Sequence, residues 1–215
     1  AAATTFISVA ENRGDAFAPV HTGVYGTTIT AATQTAAGQS SNYSATYYPW
    51  IQLFNSNLGK NVWATPTTVM GGVLAFNDQV GAEWFAPAGL NRGGVPSVLK
   101  AERRLSQSDR DTLYSANVNP LATFPGEGVV IFGQKTLQAT ASALDRINVR
   151  RLAIYLKDRI GKISRGILFD PNLQVTWDRF LGEVNPLLAD TKARFGLSDY
   201  KVVLDSTTTT PDLVD

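Results

Sequence analysis

The sequence predicts a mixed α/β (α+β) fold, with mixed β-sheets flanked by helices, on three observations. Gly128–Gly133 (GVVIFG) is a short apolar run bracketed by glycines, typical of a strand covered on both faces. From Asn148 to Ile163, the residues Val149, Leu152, Ala153, Leu156, Ile160 and Ile163 follow the i, i+3, i+4 spacing of one apolar helix stripe. Tyr47–Phe54 (YYPWIQLF) is aromatic-rich and strand-like, with Pro49 marking an edge position or the strand's start because it cannot donate a ladder hydrogen bond.

The remaining elements follow in chain order. Thr4–Ala10 mixes β-branched and aromatic residues before the polar turn Asn12–Asp15 and is expected as a buried strand. Thr27–Ser44 is small, polar and nearly uncharged, consistent with a loop or, through its alanines, a weak helix. Val62–Ala64 continues the sheet after the Asn57–Lys60 turn. Pro66–Thr68 then opens a short buried helix with Val69, Val73, Phe76 and Val80 at helical spacing. Glu83–Pro96 holds three glycines and two prolines in fourteen residues and is expected to be irregular. Ser106 and Ser108 can cap a helix with Asp109 and Asp111 in its first turn and Leu113 and Ala116 inward, ended by Asn117 and Asn119 before Pro120. Gly166–Asp170 (GILFD) and Lys201–Asp205 (KVVLD) read as strands. Between them Trp177, Phe180, Leu181, Val184 and Leu188 form a second amphipathic helix that Pro186 should kink or stop at Asn185.

Composition narrows function. At 215 residues and 44% hydrophobic content the chain can bury a substantial core, while its 17% charged fraction leaves less ionised surface to keep copies apart. A net charge of +1 gives no global field towards nucleic acid, membrane or acidic substrate. Zero cysteines exclude a disulfide framework, a thiol nucleophile and a thiolate metal site. No stretch approaches the roughly twenty apolar residues of a membrane span, so no direct membrane insertion is expected.

Catalytic chemistry finds little support, and no catalytic, cofactor-binding or metal-ligating residue is assigned. His21 is the single histidine, in a Pro- and Gly-flanked segment without a GxSxG partner, and reads as a polar loop residue. Gly161–Lys162 lacks the phosphate-loop glycine five residues earlier, where Leu156 stands. Gly126-Glu127-Gly128 precedes a strand instead of following one, so a turn explains it better than a dinucleotide fingerprint. Asp78, Glu83, Asp145, Asp170 and Asp178 are candidates only for an otherwise unsupported hydrolase-like enzyme.

Arg146–Arg165 is the local exception. It concentrates Arg146, Arg150, Arg151, Lys157, Arg159, Lys162 and Arg165 against Asp158 alone. On a helical wheel Arg150, Arg151, Lys157 and Lys162 fall away from the apolar stripe with Ile154 among them, which marks these five as a candidate partner interface. A solvated basic face is the bland alternative, and Arg150 and Arg151 could instead pair with internal carboxylates. A nucleic-acid site would want stacking aromatics, and only Tyr155 is near, so an acidic protein surface is the favoured partner and no nucleic acid is expected.

Several ordered blocks carry a family resemblance. YYPWIQLF, VWATPTTVMGGVLAFND, WFAPAGLNRGG, NVNPLATFPGEGVVIFGQKTL and DRINVRRLAIYL, with the stretch FGQKTLQATASALDRINVRRL running through the last two, resemble the tail sheath proteins of contractile bacteriophages. That family is related to the sheaths of R-type tailocins and type VI secretion systems. The resemblance covers roughly Tyr43 to Asp205. Two features depart from the pattern: Ala64-Thr65-Pro66-Thr67 stands where relatives often have Val-Pro-Pro-Ser, and the GQKTLQATASALDR linker carries no aromatic.

The resemblance implies a structural subunit, not an enzyme, from a large contractile phage, with no cofactor. Its partners would be copies of itself, the inner tail tube protein, and baseplate and tail terminator proteins. Its place would be the virion tail, assembled in the host bacterial cytoplasm. It also implies a C-terminal-region fragment: residues 1–100 as part of a subtilisin-like middle domain, and 101–215 as a truncated sheath C-terminal domain. The face around Arg150, Arg151, Ile154, Lys157 and Lys162 would contact the tube or a neighbouring sheath subunit.

Overall fold

The computed structural model describes residues 2–204 and has two compact units, one up to Ile154 and one from Tyr155. In chain order the first unit contains α1 (Ala2–Arg13), β1 (Ala18–His21), α2 (Ile29–Ala37), β2 (Ser44–Tyr48), β3 (Ile51–Asn55), β4 (Lys60–Ala64), α3 (Thr67–Val80), β5 (Val98–Ala101), α4 (Gln107–Ser115), β6 (Val118–Phe124) and β7 (Gly128–Ile131). Helix α5 (Ile147–Arg165) runs unbroken past Ile154 into the second unit, which also holds α6 (Gln174–Ala193). The mixed α/β class is as the sequence predicted.

The main sheet has the order β1-β2-β6-β7, with β1, β2 and β6 parallel and β7 antiparallel to β6. β2 is buried along its whole length, as a central parallel strand covered on both faces should be. The period-two alternation sends Ala45, Tyr47 and Leu121 into one core with Val69, Met70 and Val73 of α3 and Ile147 of α5. Val20, Tyr48 and Val118 enter the other, with Ile7 of α1, Ala32 and Ala36 of α2 and Leu113 of α4. Because β6 pairs in parallel with β2 and carries β7 at its other edge, the boundary expected at 100/101 falls inside one sheet. A second, antiparallel sheet has the order β4-β3-β5.

Two local expectations match: Ser106 caps α4, here in a full capping box with Asp109, and Gly126 and Gly128 turn the chain into β7 with φ of 81° and 75°. Of the two readings left open for Thr27–Ser44, the helix is realised in α2, which Thr28 caps at 3.3 Å from the Ala31 N–H. Others are corrected. Thr4–Ala10 is helical: Ile7 and Ala10 form a buried i, i+3 stripe, and that packing overrides the β-propensity of the run. YYPWIQLF is two strands in different sheets, because Pro49 offers no N–H and the chain crosses at Trp50, whose C=O accepts the Glu102 N–H at 2.8 Å.

The buried stripe of α3 is Val69, Met70, Val73 and Asn77, while Phe76 and Val80 lie exposed. Asn119 and Pro120 belong to β6, and Pro120 is tolerated there because the β2 ladder ends at the Tyr48–Pro120 pair. Gly166–Asp170 forms turns between α5 and α6 and is not a strand. Helix α6 continues through Pro186, held by buried Val184 on one side and Leu188 and Thr191 on the other. Lys201–Leu204 is irregular, and Asp205 of the expected last strand lies outside the described residues.

Candidate functional site

Helix α5 carries the candidate surface, and its start is set by the main sheet. Phe132 N–H donates to the Pro120 C=O at 2.8 Å, Leu137 N–H to Ser44 at 2.9 Å, and Ile147 N–H to Gln134 at 3.0 Å. Asn119, fully buried in β6, pins the linker: its amide donates to the Thr46 and Lys135 carbonyls at 3.1 and 2.8 Å and accepts the Lys135 N–H at 2.7 Å. A Cβ on Gly133 would sit 2.8 Å from the Asn119 amide oxygen, so only glycine lets the linker pass this close.

Both cations of the linker meet Tyr114. The Lys135 ammonium lies 4.6 Å over the Tyr114 ring, and Arg146 donates to the Tyr114 hydroxyl. Burial, then the neighbouring Arg146 charge, lower the Lys135 pKa, with Asp145 opposing.

On α5 itself the five candidate residues do not share one environment. Arg150 is only 7% exposed, with its guanidinium 4.1 Å over the Tyr43 ring and no hydrogen-bond partner for Nε among the described residues. Arg151, its side chain 11% exposed, grips both carboxylate oxygens of Asp78 at 2.7 and 2.9 Å and donates to the Glu83 C=O at 2.9 Å. The expectation that these two arginines face outward is therefore corrected: one face of the helix wheel meets Tyr43, and the next meets the end of α3. Burial pushes the Tyr47 hydroxyl pKa up, and the Arg151 charge opposes that shift.

Ile154 is half-buried, not exposed as the wheel suggested, and is the last residue of the first unit. In the second unit Lys157 and Lys162 are exposed, together with Arg159 and Arg165. Lys162 pairs with Asp158 one turn earlier at 2.6 Å, and Arg159 lies 5.4 Å over Tyr155. The basic excess that reaches solvent is thus the C-terminal half of α5.

The residues of the enzyme alternative do not converge. His21 closes β1 instead of lying in a loop, edge-on to Trp50 at 6.2 Å, and burial lowers its pKa. Asp78 holds Arg151, Asp145 meets Arg146 at 3.2 Å, Asp170 meets Arg179 at 2.7 Å, and Asp178 accepts from Gln174 at 2.8 Å. Among the described residues there is no group of three or more His, Asp or Glu side chains placed to hold a metal ion, and no helix long and apolar enough to cross a membrane. Sequence reasoning missed Asn119 as a pin and Tyr43 as the seat of Arg150; Asp78 was visible only as one carboxylate among many.

This architecture is that of contractile sheath subunits. It superposes on the sheath complex of an extracellular contractile injection system, PVC, in its contracted state, with a TM-score of 0.79 at 23% identity over 92% of this chain and 56% of that one. It also matches the contracted baseplate structure of the anti-feeding prophage, with a TM-score of 0.77 at 25% identity over 93% of this chain and 55% of that one. In sequence, 72% of the chain is 39% identical to the tail sheath protein of Enterobacteria phage T4, and 73% is 36% identical to that of Vibrio phage KVP40. The family model for the phage tail sheath protein central domain matches residues 1–137, and the chain belongs to the phage tail sheath family. It spans about a quarter of the length of the two curated relatives, 24% and 23% of each.

Proposed function

We propose that this chain is part of a structural subunit of a contractile phage tail sheath, which polymerises around the inner tail tube and contracts by lattice rearrangement to drive the tube through the host envelope. The observation that carries this reading is the sheath central-domain match over residues 1–137, on a fold shared with a sheath in its contracted state. Such work needs no bond chemistry, so the subunit acts structurally and not as an enzyme. What changes is the packing between subunits, with the extended lattice a held minimum above a more extensively packed contracted one.

A subunit that is repacked must keep its own fold. The pinned linker, the Arg150–Tyr43 stack and the Arg151–Asp78 pair supply that rigidity at the root of α5. Of the candidate interface, Lys157 and Lys162 reach solvent, Lys162 while paired with Asp158, and present the surface that meets a partner, with Ile154 beside them in sequence, while Arg150 and Arg151 act inside the subunit. The partner is the tube or a neighbouring sheath copy; baseplate and terminator proteins meet the ends of the polymer. The assembly belongs to the virion tail and forms in the host cytoplasm before genome delivery.

Electron microscopy of the full-length protein tests the reading. Tubular polymers are the expected result, and persistent monomers at all concentrations would overturn it.

A further inference from the structure

Arg150 is a buried cation whose charge meets no carboxylate among the described residues. The residue is 7% exposed, and its Nε is closed off from solvent without a hydrogen-bond acceptor. Its neighbour on the helix shows how a buried arginine is satisfied in this fold. Arg151, with a similarly buried side chain, meets both oxygens of Asp78 and the Glu83 C=O. The two carboxylates closest to Arg150 in sequence are committed elsewhere: Asp145 pairs with Arg146, and Asp158 with Lys162.

What Arg150 has is the Tyr43 ring, whose centroid lies 4.1 Å from the guanidinium carbon. A cation–π contact offsets only part of the cost of taking a guanidinium out of water, so the stack leaves the charge partly uncompensated. It does fix the plane of the fork. Tyr43 is itself held at both backbone groups, its N–H donating to Ser41 Oγ at 3.1 Å and its C=O accepting the Ala18 N–H at 2.8 Å. With one face of the guanidinium on the ring and Nε enclosed, the two Nη groups are the donors left for an incoming group. Parallel N–H donors on a fixed plane match the two oxygens of a carboxylate, and a fork already in place loses little side-chain entropy on meeting one.

We propose that Arg150 is a receptor for one carboxylate from outside this chain, a second role beside its stack on Tyr43. Two sources supply that chemistry: a free small carboxylate, or an Asp or Glu side chain of a protein packed against α5 in the assembled polymer. The second source rests on the sheath reading, and the first does not.

Titration of the 215-residue chain with sodium acetate, followed by NMR through the side-chain Nε–H resonance of Arg150, tests the receptor. Loss of that resonance in Arg150→Lys assigns it. The resonance should move and saturate with acetate, while sodium chloride at equal ionic strength and neutral acetamide leave it in place. No movement with acetate, or an equal movement with chloride, overturns the proposal. Tube formation by full-length protein then separates the sources. Arg150→Lys keeps the charge and loses the fork, so a protein carboxylate predicts that the concentration needed for tubes rises roughly tenfold or more, the scale of one charge-assisted pair. Circular dichroism melts verify the fold of this variant, and Arg150→Met replaces it should it lose that fold. A saturating acetate shift with unchanged tube formation assigns the receptor to a free carboxylate. If wild-type full-length protein forms no tubes, the sheath reading and the protein source fail together, and the acetate titration decides the receptor by itself.

Discussion

Arg151 decides how the basic segment is divided between structure and surface. Its Nη2 meets both Asp78 oxygens while Nη1 donates to the Glu83 C=O, and burial of the guanidinium leaves little access to water as an alternative partner. Removing either member strands the other. Arg151→Ala should lower unfolding stability by about 2 kcal/mol, below the range of fully buried pairs because Asp78 keeps a third of its side chain in water. Asp78→Ala should cost a similar amount, and the double variant clearly less than the sum. Urea unfolding of the four-protein cycle measures this coupling, and strict additivity would show that the pair contributes nothing.

Among the elements, α4 is the one whose boundary chemistry was most legible. Ser106 reads as a cap with Asp109 in the first turn, and the structure completes the pair as a capping box with both reciprocal hydrogen bonds. The Ser106 backbone N–H first, then its hydroxyl, hold the Asp109 carboxyl below the usual carboxylate range. A folded pKa below the unfolded value of about 3.9 means that this stabilisation is fully present above that pH and is lost as pH falls through the folded value. Asp109→Asn should therefore flatten the acid limb of the stability curve below about pH 4 and leave its slope between about pH 5 and 7 unchanged. Urea melts in half-unit pH steps would show it; an acid limb as steep as the wild type would exclude the cap as its source. Helix α1 shows the opposite case, because Thr, Phe, Ile and Val favour strands in isolation and only the buried seat of Ile7 and Ala10 makes the segment helical.

For the whole molecule, the question is which charge is available to partners once internal contacts are satisfied. Lys157 is, and Lys162 stays exposed although it pairs with Asp158, so Lys157→Glu with Lys162→Glu should alter subunit stability by no more than about 1 kcal/mol, the lost i,i+4 pair and the new like-charge pair included. Co-assembly of the full-length sheath with its tube should nevertheless weaken, more at about 0.1 M salt than at about 1 M, where surface charge is screened. Identical assembly at both ionic strengths would remove this half of α5 from the interface. Long-range pairing also crosses the boundary expected at residue 100: β6 and β7 complete a sheet begun by β1 and β2.

Features governed by a window of a few residues were determined by the sequence alone. The glycine-bracketed β7, the turn at Gly126–Gly128, the α4 cap, the apolar stripe of α5 and the ordered sheath-like blocks all depend on local spacing, which periodicity and turn chemistry report directly. Tertiary structure decided the rest. It made a strand-like run into α1, carried α6 through Pro186, split YYPWIQLF between two sheets, and gave Arg151 a partner 73 residues away. A helical wheel shows which side chains share a face but not what that face meets. Burial against distant elements supplies that answer, and so Arg150 and Arg151 turned inward while Lys157 and Lys162 stayed exposed.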